Sequence, residues 1–397
     1  MNKIHKLTIR EEVSRCLLCH DAPCSKACPA KTDPAKFIRS LRFDNPKGAI
    51  ETIKNNNILG GVCSKVCPSK AYCEKACSRT SINTPINIKM IQQYLMDLDK
   101  ELNISTYTKQ ENTGFNISII GSGPAGLAAA VELIKKGHNV TIYEKEEKYG
   151  GYLTYGIPND RINQTLVDYE INQVKNLGVN FKNLVEIKSS DELNTSHSVI
   201  WACGLHKGKT LHIEGIDLEN VEIGVNYLRK MKEHPNSVYK GDNVIVVGGG
   251  DVAMDVARIA KLRGANQVNI LYRRTENDMP AYIDEKLHTK DCGVNIFVKF
   301  KPLSIKGNKK VEKAVFESIG NDSNLTLKCD QYIVAIGQEC EKDISLLKDE
   351  QNGIFIAGDI DSKDKTVVCA IQSGKEAAYR ADKYVKSLNM KGVKDNV

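Results

Sequence analysis

Eight of the thirteen cysteines lie between Cys16 and Cys77, in two regularly spaced blocks. The blocks are Cys16-x2-Cys19-x4-Cys24-x3-Cys28 and Cys63-x3-Cys67-x5-Cys73-x3-Cys77. A proline follows both Cys28 and Cys67, and a Cys-Pro pair is typical of ferredoxin-type iron–sulfur ligation. Eight thiolates would suit two 4Fe–4S clusters, and two structural zinc sites are the alternative. The remaining cysteines, Cys203, Cys292, Cys329, Cys340 and Cys369, are interpreted as ordinary small residues.

A glycine-rich turn between two apolar runs predicts a dinucleotide site within residues 116–145. In a GxGxxG turn the first glycine permits the tight bend, the second lets the backbone approach a pyrophosphate, and the third lets helix and strand pack closely. These glycines are Gly121, Gly123 and Gly126. Glu144 follows Gly126 by 18 residues, where a carboxylate can bind the ribose of FAD or NAD.

The same pattern recurs in residues 243–274, which is an internal repeat. Its turn has the permitted GxGxxA form and contains Gly248, Gly250, Asp251, Val252 and Ala253. The following strand ends in Arg273 and Arg274, at the place that Glu144 takes in the first copy. Because arginine there accommodates a 2′-phosphate, we expect NADP in preference to NAD. A solvated basic pair at a strand end is the alternative.

Further glycines indicate FAD as the cofactor of the first copy. Gly150 and Gly151 follow Glu144, and Gly358-Asp359 ends a late strand. A carboxylate at such a strand end can meet a flavin ribityl chain. Flavin accepts two electrons as a hydride and can release them singly, whereas iron–sulfur clusters take one at a time. The sequence therefore predicts a redox relay from a nicotinamide nucleotide to a one-electron wire.

The elements that would position these groups indicate an α/β fold of two nested Rossmann-like domains, similar to glutathione reductase, preceded by an α-helical iron–sulfur domain. Apolar strands at residues 199–204 and 331–337 each end in glycine and bracket the second copy. The predicted domains are residues 1–111, then 112–210 together with 336–397, and the inserted 211–335. A helix is expected over residues 10–19 and a linker over residues 103–114.

Composition narrows the class of protein. The 397 residues are 41% hydrophobic, enough for two or three domains. The formal charge of +7 is mild for this length, fits anionic cofactors and does not call for nucleic acid. Neither a membrane-spanning run nor a secretory signal is apparent. We expect a cytoplasmic protein, where cysteines serve as metal ligands rather than disulfides.

The two cysteine blocks, Pro85-Ile-Asn-Ile and Gln92-Gln93 resemble dihydropyrimidine dehydrogenase. The chain is similar to the N-terminal half of that enzyme, which in bacteria is a separate subunit. The resemblance implies an electron-input subunit that passes electrons between NAD(P)H, FAD and iron–sulfur clusters. It also implies a hetero-oligomeric partner, an FMN- and cluster-bearing subunit that reduces uracil or thymine to the 5,6-dihydro forms.

The resemblance also implies site residues, and it makes Cys63 a bystander. One cluster would be held by Cys16, Cys19, Cys24 and Cys77, and the other by Cys28, Cys67, Cys73 and Gln92. FAD would be bound by Gly121, Ser122, Gly123, Pro124, Ala125, Gly126, Glu144, Gly151, Tyr152, Arg161, Gly358, Asp359, Thr366 and Val367. NAD(P) would be bound by Gly248, Gly250, Asp251, Val252, Arg273, Arg274, Ala335 and Gly337. No residue is assigned a catalytic role.

Two related families compete with this interpretation. The glutamate synthase small subunit has the same layout, but its second block is typically shorter than Cys67-x5-Cys73. The large subunit of the electron-bifurcating ferredoxin–NADP transhydrogenase fits that spacing but typically has glutamate where this chain has Gln92. The bacterial dehydrogenase subunit is associated with NAD, from which the Arg273-Arg274 pair departs. A zinc-and-nucleotide scaffold without enzymatic activity is the third hypothesis.

Overall fold

The computed structural model describes residues 6–102, 104, 107, 110–234, 242–341 and 347–394. It consists of two compact units. The first comprises Met1–Thr154, Asp160–Gly204 and Lys342–Val397, and the second comprises Tyr155–Asn159 and Leu205–Glu341. Within the predicted linker, residues 103, 105, 106, 108 and 109 lie outside the described residues.

The first unit begins with a helical region that contains both cysteine blocks. Its helices are α1 (Lys6–Ser14), α2 (Pro23–Lys26), α3 (Pro34–Arg42), α4 (Pro46–Asn56), α5 (Gly60–Val66) and α6 (Ile88–Leu102). The starts of α3 and α4 are encoded locally, because each has proline at its first position and a capping side chain before it. Phe37, Ile50 and Leu95 are fully buried where these helices pack together.

The expected helix over residues 10–19 is wrong in its position, because α1 ends at Ser14. Leu18 has a φ of 53° and Ala22 a φ of 45°. Such left-handed conformations interrupt a right-handed helix. Cys16 and Cys19 therefore lie on an irregular loop.

The rest of the first unit is a parallel sheet covered by helices. Its strands are β1 (Asn116–Ile120), β2 (Asn139–Tyr143), β3 (Asn180–Lys182), β4 (Ser198–Trp201) and β15 (Ile354–Ile356), in the order β15-β4-β1-β2-β3. Its helices are α7 (Pro124–Lys135), α8 (Tyr152–Tyr155), α9 (Gln164–Asn176) and α13 (Val367–Lys394). A Cβ at Gly374 of α13 would collide with the Ala125 carbonyl oxygen, so α13 can approach α7 only because this residue is glycine.

The second unit contains a second five-stranded parallel sheet. The strands of the unit are β5 (Lys207–Gly208), β6 (Val221–Ile223), β7 (Asn243–Val247), β8 (Gln267–Tyr272), β9 (Asn295–Val298), β10 (Phe300–Lys306), β11 (Lys313–Ser318), β12 (Asn324–Lys328), β13 (Gln331–Val334) and β14 (Gln338–Glu339). Its helices are α10 (Gly224–Glu233), α11 (Asp251–Leu262) and α12 (Ile283–Asp291). The parallel sheet has the order β6-β13-β7-β8-β9, and β10, β11 and β12 form an antiparallel sheet.

The order of the strands confirms the predicted nesting. β4 and β15 are hydrogen-bonded neighbours in the first sheet, yet the whole second sheet lies between them in the sequence. The predicted class, two nested α/β nucleotide folds after a helical region, is therefore confirmed. The domain boundaries at residues 111, 210 and 335 stay predictions. Among the described helices, none combines the length and apolar character needed to cross a membrane.

Candidate cofactor sites

The first glycine-rich turn joins β1 to α7, and each of its glycines has its own steric reason. Gly121 has a φ of 103°, and a Cβ there would overlap the Ala202 carbonyl oxygen. A Cβ at Gly126 would overlap the Gly121 carbonyl oxygen. A Cβ at Gly123, by contrast, would meet no protein atom within 4 Å. The turn thus leaves open space beside Gly123, which is the place where a dinucleotide pyrophosphate is bound in this motif.

Glu144 at the end of β2 is buried and held by the same turn. Its Oε2 accepts the Ser122 N–H at 3.0 Å and the Ser122 hydroxyl at 2.5 Å, and its Oε1 accepts the Glu146 N–H at 3.0 Å. The Ser122 hydroxyl in turn accepts the Gly150 N–H at 3.0 Å. An ionised carboxylate has about four acceptor positions, so these three bonds leave one for a ribose hydroxyl.

The late Gly358-Asp359 turn lies against the same glycine-rich loop. Gly358 has a φ of 84°, donates its N–H to the Ser373 hydroxyl at 3.0 Å, and would place a Cβ 3.0 Å from Ala125 Cβ. Among the described residues nothing donates a hydrogen bond to the Asp359 carboxylate. Burial raises the pKa of Asp359 to about 6, with Lys365 opposing. Asp359 is half-buried by solvent accessibility, and a carboxylate there without a donor suits a hydroxyl-bearing ligand.

The other predicted residues of the first site lie on the adjoining segments. A Cβ at Gly151 would lie 3.0 Å from Gly123 Cα, so these two glycines are neighbours. Pro124 and Tyr152 begin α7 and α8. Thr366 accepts the Cys369 N–H at 3.3 Å just before α13, which starts at Val367. Arg161 is half-buried in the segment that precedes α9.

The second glycine-rich turn joins β7 to α11 in the other unit. A Cβ at Gly248 would overlap the Ala335 carbonyl oxygen, and Ala335 donates its N–H to Val247 at 2.8 Å. A Cβ at Gly250 would have only Pro280 Cγ near it, at 3.8 Å. This turn repeats the first one, with one glycine fixed by a carbonyl and another facing open space.

Asp251, Val252 and Gly337 lie around this turn. Asp251 begins α11 and accepts the Tyr282 N–H at 3.1 Å, whereas Val252 packs against the core of the unit. Gly337, with a φ of 119°, accepts the Lys209 N–H at 2.9 Å. The predicted residues of the second site thus belong to one unit. Asp251 and Val252 begin α11, whose N-terminus is a favourable place for an anionic group.

Arg273 and Arg274 are exposed at the end of β8. The Arg274 guanidinium lies over the Tyr272 ring, 5.5 Å from its centroid. Within the described part of the chain, no carboxylate forms an ion pair with either guanidinium. Both cations are therefore available to an anionic ligand such as a nucleotide phosphate.

The cysteines form two groups. Burial raises the pKa of Cys24 to about 11, and the neighbouring Cys16 and Cys77 thiols raise it further. Burial raises the pKa of Cys16, and Cys19 and Cys77 raise it further. Cys16, Cys19, Cys24 and Cys77 thus lie near one another, and Cys24 also acts on Cys73 of the second group. The assignment of these four cysteines to one cluster stays a prediction.

The second group contains Cys28, Cys63, Cys67 and Cys73. Burial raises the pKa of Cys67 well above its ordinary value, and Cys63, Cys73 and Cys28 add to the effect. Burial also raises the pKa of Cys73, with Cys28 as its largest charged neighbour. A bound metal would reverse these shifts, because it stabilises thiolates.

Gln92 and Cys63 are rival ligands beside this second group. The Gln92 amide nitrogen donates to the Gly60 carbonyl at 2.6 Å, and no described residue donates to its amide oxygen. Cys63 is buried on α5 and accepts a hydrogen bond from Asn57 Nδ2 at 3.4 Å. Burial raises its pKa to about 12. The orientation of Gln92 leaves an oxygen available to iron.

In the described ranges, no three His, Cys, Asp or Glu side chains are placed to hold one metal ion.

Three functional contacts escaped the sequence analysis. Glu170 of α9 accepts the Gly61 and Val62 N–H groups at 2.6 and 3.1 Å, and so holds the start of α5. Tyr72, next to Cys73, contacts Cys369 Sγ at 3.4 Å. Lys375 reaches the Cys28 loop from α13. Only Glu170 had a sequence signal, since it is an acid within the apolar face of an amphipathic helix.

Comparison with known proteins shows the family. Residues 115–374 match the pyridine nucleotide-disulphide oxidoreductase family. The chain belongs to this family. Residues 1–104 match a second family, described as dihydropyrimidine dehydrogenase domain II, 4Fe-4S cluster. The chain is therefore an NAD(P)-dependent oxidoreductase of the flavin-linked type, with an iron–sulfur domain at its N-terminal side.

Curated relatives extend over nearly the whole chain. The NAD-dependent dihydropyrimidine dehydrogenase subunit PreT of Escherichia coli (strain K12) is 38% identical, over 95% of this chain and 94% of the relative. The glutamate synthase [NADPH] small chain of Azospirillum brasilense is 28% identical, over 95% of this chain and 89% of the relative. The resemblance to the dihydropyrimidine dehydrogenase subunit is thus confirmed, with the glutamate synthase subunit as a more distant relative.

Solved structures share the fold of the nucleotide-binding part. FprA of Mycobacterium tuberculosis in complex with NADPH matches with a TM-score of 0.59 and 18% identity, over 70% of this chain and 86% of that chain. Thioredoxin reductase of Lactococcus lactis matches with a TM-score of 0.55 and 19% identity, over 69% of this chain and 99% of that chain. At these identities the likeness concerns the fold alone.

Proposed function

We propose that the chain is the electron-input subunit of a dihydropyrimidine dehydrogenase. It takes electrons from NAD(P)H and delivers them to an FMN- and cluster-bearing partner subunit in a hetero-oligomer, and the partner reduces uracil or thymine to the 5,6-dihydro form. The observation that carries the proposal is the 38% identity to PreT over 95% of the chain. The thirteen free cysteines suit a reducing compartment, so a cytoplasmic location is part of the proposal.

The proposed cofactors are FAD in the first fold, two 4Fe–4S clusters in the helical region, and NADPH or NADH as the co-substrate in the second fold. Bound FAD would accept a hydride, and the clusters would carry its electrons one at a time. Glu144 would orient the adenosine ribose through its remaining acceptor position. Asp359 would accept a hydrogen bond from the ribityl chain, and the α11 N-terminus would face the pyrophosphate of the nicotinamide nucleotide.

The proposed ligands are Cys16, Cys19, Cys24 and Cys77 for one cluster and Cys28, Cys67, Cys73 and Gln92 for the other. Cys63→Ser should keep both clusters, about eight irons and eight sulfides per chain, whereas Cys67→Ser should lose one. Metal analysis of anaerobically purified protein distinguishes these outcomes. Loss of a cluster in Cys63→Ser would instead make Cys63 the ligand in place of Gln92.

The decisive test is an anaerobic assay with and without an FMN-bearing partner subunit. The chain alone should oxidise NAD(P)H with an artificial dye and leave uracil unreduced, and dihydrouracil should form only after the partner is added. Dihydrouracil from the chain alone would refute the proposal.

The second candidate is the small subunit of an NADPH-dependent glutamate synthase or a related ferredoxin–NADP electron-transfer flavoprotein. Arg273 and Arg274 favour it, because a basic pair suits NADPH, whereas the PreT relative is named as NAD-dependent. Activity restored by a glutamate synthase large subunit, and by no FMN-bearing pyrimidine-reducing subunit, would establish this alternative.

A further inference from the structure

Lys375 is a half-buried cation that connects the closing helix of the first nucleotide fold with the second cysteine group. It lies on α13, and its Nζ donates hydrogen bonds to the Ala30 carbonyl at 3.0 Å and to the Asn56 carbonyl at 2.8 Å. Ala30 is fully buried two residues after Cys28, and Asn56 is the last residue of α4. One ammonium thus bridges two backbone segments of the cluster-binding region.

The loop that Lys375 holds also donates to the Cys28 sulfur. The Thr32 N–H lies 3.4 Å from Cys28 Sγ. Asn57 fixes Thr32 in turn, because its amide nitrogen donates to Thr32 Oγ1 at 3.2 Å. Cys28 therefore lies at the start of a short loop. Lys375 binds the middle of this loop at the Ala30 carbonyl, and Thr32 at its end donates back to the Cys28 sulfur.

The Lys375 ammonium lies beside the Cys28 loop, where its burial and several nearby charges act on its pKa. Burial lowers the pKa of Lys375, Glu132 raises it, Lys135 lowers it, and Cys28 raises it. Ion-pair contact with Glu132 belongs to Lys135, at 3.4 Å. Among the described residues, the polar partners of the Lys375 ammonium are the two carbonyls alone. Its positive charge is therefore not cancelled by a carboxylate in contact with it.

We propose that Lys375 positions the Cys28 loop and raises the reduction potential of the iron–sulfur cluster bound by Cys28. The inference rests on the proposed function, since it needs that cluster. Reduction transfers one electron from the reduced flavin to the cluster, and the cluster gains one negative charge without forming or breaking a bond to Lys375. A fixed cation in the protein interior stabilises that added charge, because charges interact more strongly there than in water. Lys375 would thus favour electron transfer from the flavin into the iron–sulfur clusters.

Lys135 of α7 supplies a matched control, because it binds the same C-terminal end of α4 as Lys375 does. Its Nζ donates to the Asn55 carbonyl at 2.7 Å, next to the Asn56 carbonyl that Lys375 binds. The Glu132 carboxylate partly neutralises the Lys135 ammonium, because the two form an ion pair at 3.4 Å. Lys135→Met removes a comparable lysine and a comparable carbonyl bond, without removing the cation that binds the Ala30 carbonyl beside Cys28.

The test is an anaerobic redox titration of the flavin- and cluster-loaded protein, followed by electron paramagnetic resonance. The signal of the second cluster is identified as the one that Cys67→Ser lacks. Lys375→Met should lower its midpoint potential by an amount equal to at least a tenfold change in the one-electron equilibrium constant, 59 mV. Lys375→Arg, which keeps the charge, and Lys135→Met should each change that constant less than threefold.

An unchanged potential in Lys375→Met, or an equal shift in Lys135→Met, would overturn the inference. If the Met variant loses the cluster, Lys375→Gln keeps an N–H donor without the charge, and its potential is measured instead. Loss of the second cluster from both neutral variants but not from Lys375→Arg would support the positioning role. Loss from Lys375→Arg as well would contradict the role of charge. Wild-type protein with fewer than two clusters would refute the proposed cofactors instead, so the two failures are distinguishable.

Discussion

The two nucleotide folds share the order of four of their five parallel strands but treat the ribose-recognising position in opposite ways. In the first fold, Glu144 is buried and hydrogen-bonded by Ser122. In the second, Arg273 and Arg274 are exposed and make no ion pair among the described residues. The first arrangement is held by hydrogen bonds within the chain, which suits a resident cofactor. The second leaves its cations to solvent, which suits a nucleotide that enters and leaves at every turnover.

The segments that pack against the two glycine-rich turns also differ, with the first turn covered more closely than the second. Gly374 lets α13 pack directly on the start of α7, and the Gly358 turn lies against Ala125. In the second fold, Pro280 is the nearest neighbour of a Cβ placed at Gly250, and the Tyr282 N–H donates to Asp251. Repetition of one sequence motif therefore produced two sites, one enclosed by a long helix and one bordered by a loop.

The largest effect should come from filling the open space at each turn. Gly123→Val should weaken FAD binding at least a hundredfold, about 2.7 kcal/mol, while the cofactor-free protein keeps its melting temperature. The reason is that no protein atom lies within 4 Å of the added Cβ, so only a ligand would be displaced. Flavin fluorescence titration measures the affinity.

Gly250→Val is the counterpart, and it should abolish NAD(P)H oxidation yet leave bound FAD in place. Gly126→Val is the control for a structural glycine, since its side chain would overlap the Gly121 carbonyl oxygen and should destabilise the protein itself. Unchanged flavin affinity in Gly123→Val would show that the pyrophosphate lies elsewhere.

Acid should weaken the contacts of Asp382 on α13, in the first fold, more than those of Asp330 in the second fold. Burial alone would raise the pKa of Asp382 on α13, but hydrogen bonds from Lys136, Lys386 and His138 lower it to about 2. Its stabilising effect is therefore present above the unfolded-state pKa of about 3.9 and is lost as the pH falls towards 2. Burial lowers the pKa of His138, so the unfolded chain binds this proton more readily and the free energy of unfolding falls further as the pH decreases.

Asp382→Asn should reduce the free energy of unfolding at pH 7 by about 2 kcal/mol, since each pKa unit corresponds to about 1.4 kcal/mol. Urea unfolding at pH 7 and pH 3 measures it, and the difference from wild type should shrink at the lower pH. Asp330→Asn in the second fold is the control. Its carboxylate accepts hydrogen bonds from Asn243 and Asp242 but is partly exposed, so a smaller loss is expected. A larger loss there would reverse the comparison.

The sequence predicted the two glycine-rich turns themselves better than it predicted the segments that pack against them and make the two sites differ. Gly121, Gly126 and Gly248 could be assigned in advance, because their steric roles follow from local backbone geometry. The close approach of Gly374 to Ala125 joins residues far apart in the chain, and no local pattern reports it. The enclosure of the first site was therefore not predictable from the fingerprint.

The helical region shows the same limit. Cysteine spacing indicated clusters, and the structure adds that Asp33 and Asn45 cap the starts of α3 and α4. The cysteine loop was mistaken for helix, because nothing in the sequence marks Leu18 as left-handed. β10 and β12 of the antiparallel sheet alternate apolar with charged residues too briefly for a sequence pattern to mark them.

The smallest predicted effect concerns the exposed Arg273–Arg274 pair itself, and it therefore tests the comparison of the two nucleotide folds most directly. Replacing Arg273 and Arg274 by Ala should raise the Michaelis constant for NADPH about tenfold, equivalent to about 1.4 kcal/mol, and hardly change that for NADH. Exposed cations lose part of their interaction energy to solvent and salt, which limits the effect despite the strength of an arginine–phosphate pair. The Arg274 guanidinium is already oriented over Tyr272, so Arg274→Ala should account for more of the loss than Arg273→Ala. Steady-state kinetics with both nucleotides at two salt concentrations provide the measurement. An unchanged Michaelis constant for NADPH, in protein that prefers NADH, would make the pair a solvated strand end, and the contrast with Glu144 would then concern burial alone.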